Sequence, residues 1–234
     1  MKPFLYLDNW HKPQPETRFD RALADRGLTV LHLRTNDGEF PDGTAFCGAY
    51  VSPSFNAAYD NEPWIHEEHA VLRRLAEARV PILGLCFGSQ ILASSLCGRD
   101  QVVLREERER GYGSITLTDA ARTEDPLTRG MPETVPVLHW HEDEVRADHP
   151  DVQVLALSSE CANQIWRWRL GPVWGVQPHP EFDRCQAIDW FTANRAQFAA
   201  GGLDYDKLAT EADDNVIAAR LIDNFLSYVI DTSA

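Results

Sequence analysis

The sequence predicts an α/β protein in which helices flank a doubly wound, mostly parallel sheet. Over the first hundred residues, short apolar runs alternate with amphipathic segments in the order strand, helix, strand, helix. This rhythm is typical of parallel strands joined by crossover helices. Strand-like runs then follow one another over residues 101–176, and amphipathic helices return after residue 182. We therefore predict a single domain over residues 1–234, with a core over about residues 1–190 and a helical extension over about residues 191–234.

The first half of the chain supplies the predicted parallel strands, which are FLYL, LTVLHL, TAFCGAYV and VPILGL. Between the first two, ETRFDRALADRG places Phe19, Ala22 and Leu23 on one helical face and ends at Gly27. The next helix, EPWIHEEHAVLRRLAEARV, carries Pro63 in its first turn, where proline is tolerated. A third helix, SQILASSLCG, follows the last of these strands and ends at a glycine.

The second half is predicted to add strands and then helices. The runs QVVLRE, SITLT, VPVLHW and VQVLALS are strand-like, and QIWRWR and VWGVQ flank LGP as an antiparallel hairpin. The charged run REERER, residues 105–110, is predicted to be a solvated face or loop. CQAIDWFTANRAQFA and NVIAARLIDNFLSYVI are both amphipathic and predict the closing helices.

Composition excludes several classes of partner and site. With 22 Lys and Arg against 36 Asp and Glu, the net charge of −14 disfavours binding to nucleic acid or to anionic membranes. The five cysteines form no C-x-x-C pair, which argues against a disulfide framework and a structural zinc site. No apolar run approaches the roughly 20 residues that a membrane span needs. The first apolar run is too short for a signal peptide, so we expect a cytoplasmic protein.

The segment Gly84-Leu85-Cys86-Phe87-Gly88 lies between a predicted strand and a predicted helix. Glycines two residues before and after a thiol fit a sharp strand-to-helix turn, which exposes a nucleophile at the carboxyl edge of a sheet. The N–H groups at the helix start favour the thiolate, and the Phe87 N–H would point at a substrate carbonyl oxygen. The alternative is that Cys86 is a small buried hydrophobic residue, as we expect for the other four cysteines.

The segment GVQPHPEF offers a base for such a nucleophile. Residues 179 and 181 point to the same side of an extended chain, so the Glu181 carboxylate can hold the His179 ring. Pro178 and Pro180 restrict the backbone around that histidine. The alternative is a strand end followed by a helix start, with Glu181 merely near the helix N-terminus.

Taken together, in this order and spacing, the two segments resemble the signature of the class I glutamine amidotransferases. FCGAYVSPSFNAAYDNEPWI resembles the oxyanion strand of that family and its acidic loop, and ILGLCFGSQILA resembles its nucleophile elbow. LHWHEDEV resembles a W-H-x-D segment, and GVQPHPEF resembles the histidine–glutamate element. The resemblance covers roughly residues 1–190 and implies a flavodoxin-like fold. It is strongest to stand-alone members similar to the amidotransferase domain of GMP synthetase.

The resemblance implies a role for each of eight residues. Cys86 is the expected nucleophile, His179 the base and Glu181 the group that orients the base. The other implied residues are the oxyanion donors Ala49 and Phe87 and the substrate-binding residues Gly48, Gln90 and His141. One departure stands out, because Gly48-Ala49 occupies the place where the family usually has two adjacent glycines.

The implied reaction is hydrolysis of a γ-glutamyl amide through a γ-glutamyl thioester, with no cofactor and no metal. His139 and His141 share one face of a strand, but Glu142 and Asp143 cannot both join that face, so we favour substrate contact or a structural hydrogen bond over a metal site. Three hypotheses stay open: a glutaminase that supplies ammonia to a separate ATP-using synthetase, a self-sufficient hydrolase of γ-glutamyl amides or peptides, and a catalytically idle binding module.

Overall fold

A computed structural model describes residues 2–12, 14–200 and 202–233 of the chain. The strands are β1 (Phe4–Asp8), β2 (Val30–Arg34), β3 (Gly48–Val51), β4 (Ile82–Leu85), β5 (Val102–Leu117), β6 (Thr134–Val145), β7 (Val152–Leu157), β8 (Ile165–Trp168) and β9 (Val173–Val176). The helices are α1 (Arg18–Asp25), α2 (Pro63–Glu77), α3 (Phe87–Cys97), α4 (Asp119–Thr123), α5 (Arg184–Ala193), α6 (Arg195–Ala200), α7 (Tyr205–Glu211) and α8 (Val216–Ser233).

The strands form one mixed sheet in the order β2-β1-β3-β4-β9-β8-β7-β5-β6. The five strands from β2 to β9 are parallel, and the pairs from β9 to β6 are antiparallel. The α/β fold with a mostly parallel sheet in the first half is therefore confirmed, as is the hairpin of β8 and β9.

Helices cover both faces of the parallel strands because side chains alternate across each strand. One face carries Leu5, Leu7 and Val51 and packs against α2 and α3. The other face carries Tyr50 and Trp174 and packs against α1, α4 and α8. A third apolar cluster joins β6 to α5, α6 and α7. The boundary near residue 190 stays a prediction, although α8, beyond it, packs into the main core.

Parallel register brings the carboxyl ends of the central strands to one edge. Leu7 lies beside Val51 in the neighbouring strand, and Leu85 lies beside Val176. The chain leaves β4 and β9 at this edge, directly before Cys86 and shortly before His179. The edge is therefore where the thiol and the imidazole can meet.

Two expectations about secondary structure need correction. The charged run over residues 105–110 is part of a single 16-residue strand, β5, whose pairing with β6 is irregular between Leu104 and Glu109. Residues 106–108 are exposed as expected, but Arg105, Glu109 and Arg110 are partly buried. The helix predicted over residues 185–199 breaks at Asn194, where the side chain donates to the Trp190 carbonyl oxygen at 2.8 Å. Within the described residues, no helix is long and apolar enough to cross a membrane.

Candidate active site

Cys86 sits at the turn between β4 and α3. Its backbone has φ 51° and ψ −110°, a region that residues with a Cβ rarely adopt and that costs on the order of 1–3 kcal/mol. The Cys86 N–H donates to the Val176 carbonyl oxygen at 2.8 Å, which ties the turn to β9. The strain and this hydrogen bond together hold the thiol at the sheet edge.

Close backbone packing explains the two glycines around the thiol. A Cβ on Gly84 would lie 2.3 Å from the Gly88 carbonyl oxygen, and a Cβ on Gly88 would lie 2.1 Å from the Val51 carbonyl oxygen. Both distances are far below van der Waals contact, so only glycine fits without movement. The crowding predicted from the G-x-C-x-G pattern is confirmed.

His179 follows β9 and is oriented by Glu181. The ring Nδ1 lies 2.7 Å from Glu181 Oε1, and both side chains are 2% exposed. A carboxylate oxygen only accepts, so Nδ1 carries the proton and Nε2 faces away from the glutamate. The His179 N–H donates to the Leu138 carbonyl oxygen at 2.9 Å, and the ring stacks on Phe182 with centroids 5.7 Å apart.

The thiol and the imidazole line the same cavity. His179 Nε2 has no hydrogen-bond partner among the described residues, and Cys86 Sγ lies 3.6 Å from the Trp140 carbonyl oxygen. Burial by itself lowers the pKa of His179, but the charges of Glu181 and Cys86 outweigh it and hold that pKa well above its usual value. The arrangement therefore favours a thiolate beside an imidazolium.

The expected oxyanion donors fare differently. The Phe87 N–H, at the first position of α3, donates to no acceptor among the described residues, which leaves it available to a ligand. The Ala49 N–H donates to the Pro81 carbonyl oxygen at 2.8 Å, inside the sheet. It is therefore not available as an oxyanion donor, and the expectation for Ala49 is wrong.

Gly48 also lies away from the cavity. It is the first residue of β3, and a Cβ there would be 2.8 Å from the Val229 side chain on α8. The carboxyl end of β3 reaches the site instead, and the cavity wall begins at Pro53 and Ser54. The sequence resemblance assigns the oxyanion element to the wrong end of this strand, so Gly48 is not a substrate-binding residue either.

Gln90 and His141 both line the cavity. Gln90 Nε2 donates to the Asp143 carbonyl oxygen and to Gln177 Oε1, each at 3.2 Å. His141 uses Nδ1 on the Asp143 carbonyl oxygen at 2.9 Å and Nε2 on Glu109 Oε2 at 3.0 Å. Neither ring nitrogen of His141 is free for a substrate, so a structural hydrogen bond is the better of the two roles expected for it.

Most of the cavity wall was not anticipated from the sequence. The cavity has a volume of about 330 Å³. Its aromatic residues are Trp10, Phe55, Tyr59, Trp140, Trp190 and Phe198. The Tyr59 hydroxyl donates to Asp143 Oδ1 at 2.9 Å and closes the loop after β3 onto β6. Burial and this hydrogen bond raise the pKa of Tyr59 to about 12, and burial raises that of Asp143.

Close to the cavity, Glu109, His139 and His141 bring one carboxylate and two imidazoles together. One donor atom from each lies within 4.8 Å of the others. The sequence suggests only the neighbouring carboxylates Glu142 and Asp143 as a third ligand. Glu109 was missed because it lies on β5, about thirty residues upstream, in the run that was expected to be solvated.

Comparison with known proteins identifies similar sequences and similar folds. Residues 16–188 match the family described as glutamine amidotransferase class-I. A region of 158 residues is 30% identical to gamma-glutamyl peptidase 5 of Arabidopsis thaliana and covers 65% of this chain and 61% of that protein. A region of 112 residues is 35% identical to the smaller, glutamine-hydrolysing GMP synthase polypeptide of Thermococcus kodakarensis, over 48% of this chain and 56% of that polypeptide. The matched regions thus span less than two thirds of either relative.

Solved structures show the same architecture at low sequence identity. A glutamine amidotransferase from Thermotoga maritima superposes with a TM-score of 0.84 and 17% identity, over 99% of each chain. A glutamine amidotransferase from Methylobacillus flagellatus gives a TM-score of 0.79 and 19% identity, over 97% of this chain and 95% of its own. At such identities the likeness concerns the fold.

Proposed function

Because the chain belongs to the class-I glutamine amidotransferase family, we propose that it hydrolyses γ-glutamyl amide bonds, with Cys86 as nucleophile, His179 as base and Glu181 as the orienting group. The observation that carries this proposal is the pairing of His179 Nδ1 with Glu181 at 2.7 Å. It leaves Nε2 buried and unpartnered among the described residues, in the cavity that the Cys86 thiol also lines.

The reaction follows from the chemistry of these groups. The Cys86 thiolate attacks the γ-carbonyl carbon, and the N–H of Phe87 donates to the oxyanion that forms. The imidazolium of His179 gives its proton to the departing amine, which leaves a γ-glutamyl thioester on the sulfur. His179 then takes a proton from water as the water attacks the thioester, which releases glutamate and restores the thiolate. Glu181 balances the ring's positive charge throughout.

Two fates of the amine are compatible with this chemistry. If glutamine is the substrate, the ammonia feeds a separate ATP-using synthetase, which is the arrangement that the name of the Thermococcus GMP synthase polypeptide suggests. If the substrate is a larger γ-glutamyl amide or peptide, the protein acts alone, as the name of the plant peptidase suggests. The exposed Phe55 at the cavity favours the second candidate, because an apolar wall contacts an organic leaving group better than it contacts ammonia.

The catalytic assignment is tested by labelling with a glutamine-like chloroketone and by turnover. We expect the reagent to modify Cys86 alone and Cys86→Ala to release no ammonia or amine. Cys185→Ala is the matched control, because that thiol is exposed and lies outside the cavity. Burial raises the pKa of Cys97 to about 11 and that of Cys161 to about 12, so both should stay unlabelled. Turnover that survives in Cys86→Ala would reject the assignment.

The two substrate classes are separated by assaying the purified chain against glutamine and a panel of γ-glutamyl amides and dipeptides. Fast turnover of a dipeptide without any second protein supports the self-sufficient hydrolase. Slow turnover of glutamine that an added synthetase accelerates supports the ammonia-supplying enzyme. Binding without turnover in either assay leaves only the idle module.

A further inference from the structure

The Glu109–His139–His141 cluster joins the two strands of the β5–β6 hairpin. Glu109 stands directly opposite His141 in the strand register, and His139 shares the face of His141 because side chains alternate along a strand. The exposed fractions of the three side chains are 12%, 4% and 0%, respectively. A carboxylate and two imidazoles are thus collected in a buried space, and the triad described above uses none of them.

The hydrogen bonds of His141 show that something positive belongs between it and Glu109. Its Nδ1 lies 2.9 Å from the Asp143 carbonyl oxygen, which can only accept, so Nδ1 carries a proton. In the neutral ring, Nε2 then presents a lone pair to Glu109 Oε2 at 3.0 Å. Two acceptors at that distance repel one another unless a proton or a metal ion lies between them.

His139 decides which of the two fits better. Its Nδ1 lies 3.5 Å from Glu109 Oε1 and has no hydrogen-bond partner among the described residues. A single proton on His141 would leave this buried nitrogen unsatisfied, at a cost of about 1–3 kcal/mol. One metal ion placed among the three side chains would satisfy both nitrogens and the carboxylate together.

The surroundings of the cluster resemble the outer hydrogen bonds of a metal site. Ser158 Oγ donates to Glu109 Oε1 at 2.9 Å, and Gln164 Nε2 donates to Oε2 at 2.7 Å. The bond from His141 Nδ1 to a backbone carbonyl is the pattern by which metal-ligating histidines are usually oriented. Room for the His139 ring depends on Gly113, where a Cβ would lie 3.0 Å from the ring.

We propose that Glu109, His139 and His141 bind one divalent transition-metal ion, for which Zn²⁺ is the best match. Two imidazoles and a carboxylate are a usual ligand set for Zn²⁺, and three protein ligands leave a fourth position for water. The ion would fix β5 against β6 at Trp140, whose carbonyl oxygen lies 3.6 Å from Cys86 Sγ. The proposal is independent of the hydrolytic function, since it concerns side chains outside the triad.

The test uses the full chain carrying Cys86→Ala, which removes a thiol that could itself bind Zn²⁺. After treatment with a chelator, the protein is given ZnSO₄ and freed of excess metal. We expect one zinc per chain by elemental analysis and a rise in Tm of about 5 °C or more at saturating metal. Adding Glu109→Gln or His141→Gln should abolish both effects. His66→Gln, a substitution of an exposed histidine on α2, should change neither.

Two further measurements keep the proposal open to refutation if a cluster variant fails to fold. Co²⁺ added to the Cys86→Ala protein should give visible bands of a nitrogen and oxygen ligand set. Nitrogen-detected NMR should show His141 Nε2 without a proton in the metal-treated protein. The proposal is overturned if no metal binds, if zinc binding persists unchanged in Glu109→Gln, or if His141 carries protons on both nitrogens after metal treatment.

Discussion

Replacing Gly88 with alanine probes whether backbone crowding positions the catalytic turn. The added Cβ would lie 2.1 Å from the Val51 carbonyl oxygen and 2.8 Å from its carbonyl carbon. Carbon atoms pack at about 3.5–4.0 Å, so a displacement of about 1 Å or more is needed. Val51 cannot yield easily, because β3 is paired on both sides by β1 and β4. The strain must therefore fall on α3, the helix that begins directly after Cys86.

We expect two effects of Gly88→Ala. Overpacking of this kind costs about 1–3 kcal/mol, so the free energy of unfolding should fall by that amount. A displacement of about 1 Å at the reacting groups costs on the order of 100-fold in rate, so kcat/KM for a γ-glutamyl amide should fall to that extent. The matched control is Gly43→Ala, because a Cβ on that exposed glycine meets no atom within 4 Å.

Urea unfolding followed by circular dichroism measures the first effect, and steady-state hydrolysis measures the second. For Gly43→Ala, both quantities should stay close to those of the parent protein. If Gly88→Ala unfolds at the parental urea concentration, the crowding argument is wrong. If its stability falls while kcat/KM is unchanged, the crowding is real but the position of α3 does not control the chemistry.

The remaining predictions concern buried carboxyl groups. Glu181→Gln keeps the shape but removes the negative charge that helps hold the pKa of His179 high, so kcat should fall about 100-fold or more and the alkaline limb of the pH–rate profile should move to lower pH; an unmoved limb would contradict this reasoning. Burial raises the pKa of Glu68 from 4.5 to about 8, so the parent should lose stability as the pH rises between these values, by roughly 5 kcal/mol at most. Glu68→Gln should therefore be more stable than the parent at pH 8 but not at pH 4, and a difference in urea unfolding that is the same at both values would refute the argument.

The parts of the site that the sequence predicts are those specified by short segments. The turn at Cys86 depends on Gly84 and Gly88, which lie within five residues of one another, and their crowding was readable from the pattern alone. The pairing of His179 with Glu181 depends on the two-residue period of an extended chain. Local geometry of this kind survives whatever the rest of the fold does.

The errors arise where strand register decides the outcome. Gly48 and Ala49 lie on the correct strand, but only the register of β3 against its neighbours shows that its other end reaches the cavity. The charged neighbours of Glu109 suggest a solvated surface, whereas pairing with His141 turns its side chain inward. The aromatic wall of the cavity comes from segments far apart in the chain, and no periodicity within one segment announces such a meeting.

One carbonyl oxygen connects these locally and globally specified parts. The Asp143 backbone oxygen lies 2.9 Å from His141 Nδ1 and 3.2 Å from Gln90 Nε2. A carbonyl has two lone pairs, so it accepts both bonds at once. Gln90 lies one turn into α3, and its N–H donates to the Cys86 carbonyl oxygen at 3.1 Å. A change at Glu109 that rotates His141 would therefore reach the nucleophile helix through two hydrogen bonds, although Glu109 lies on a different strand from every member of the triad.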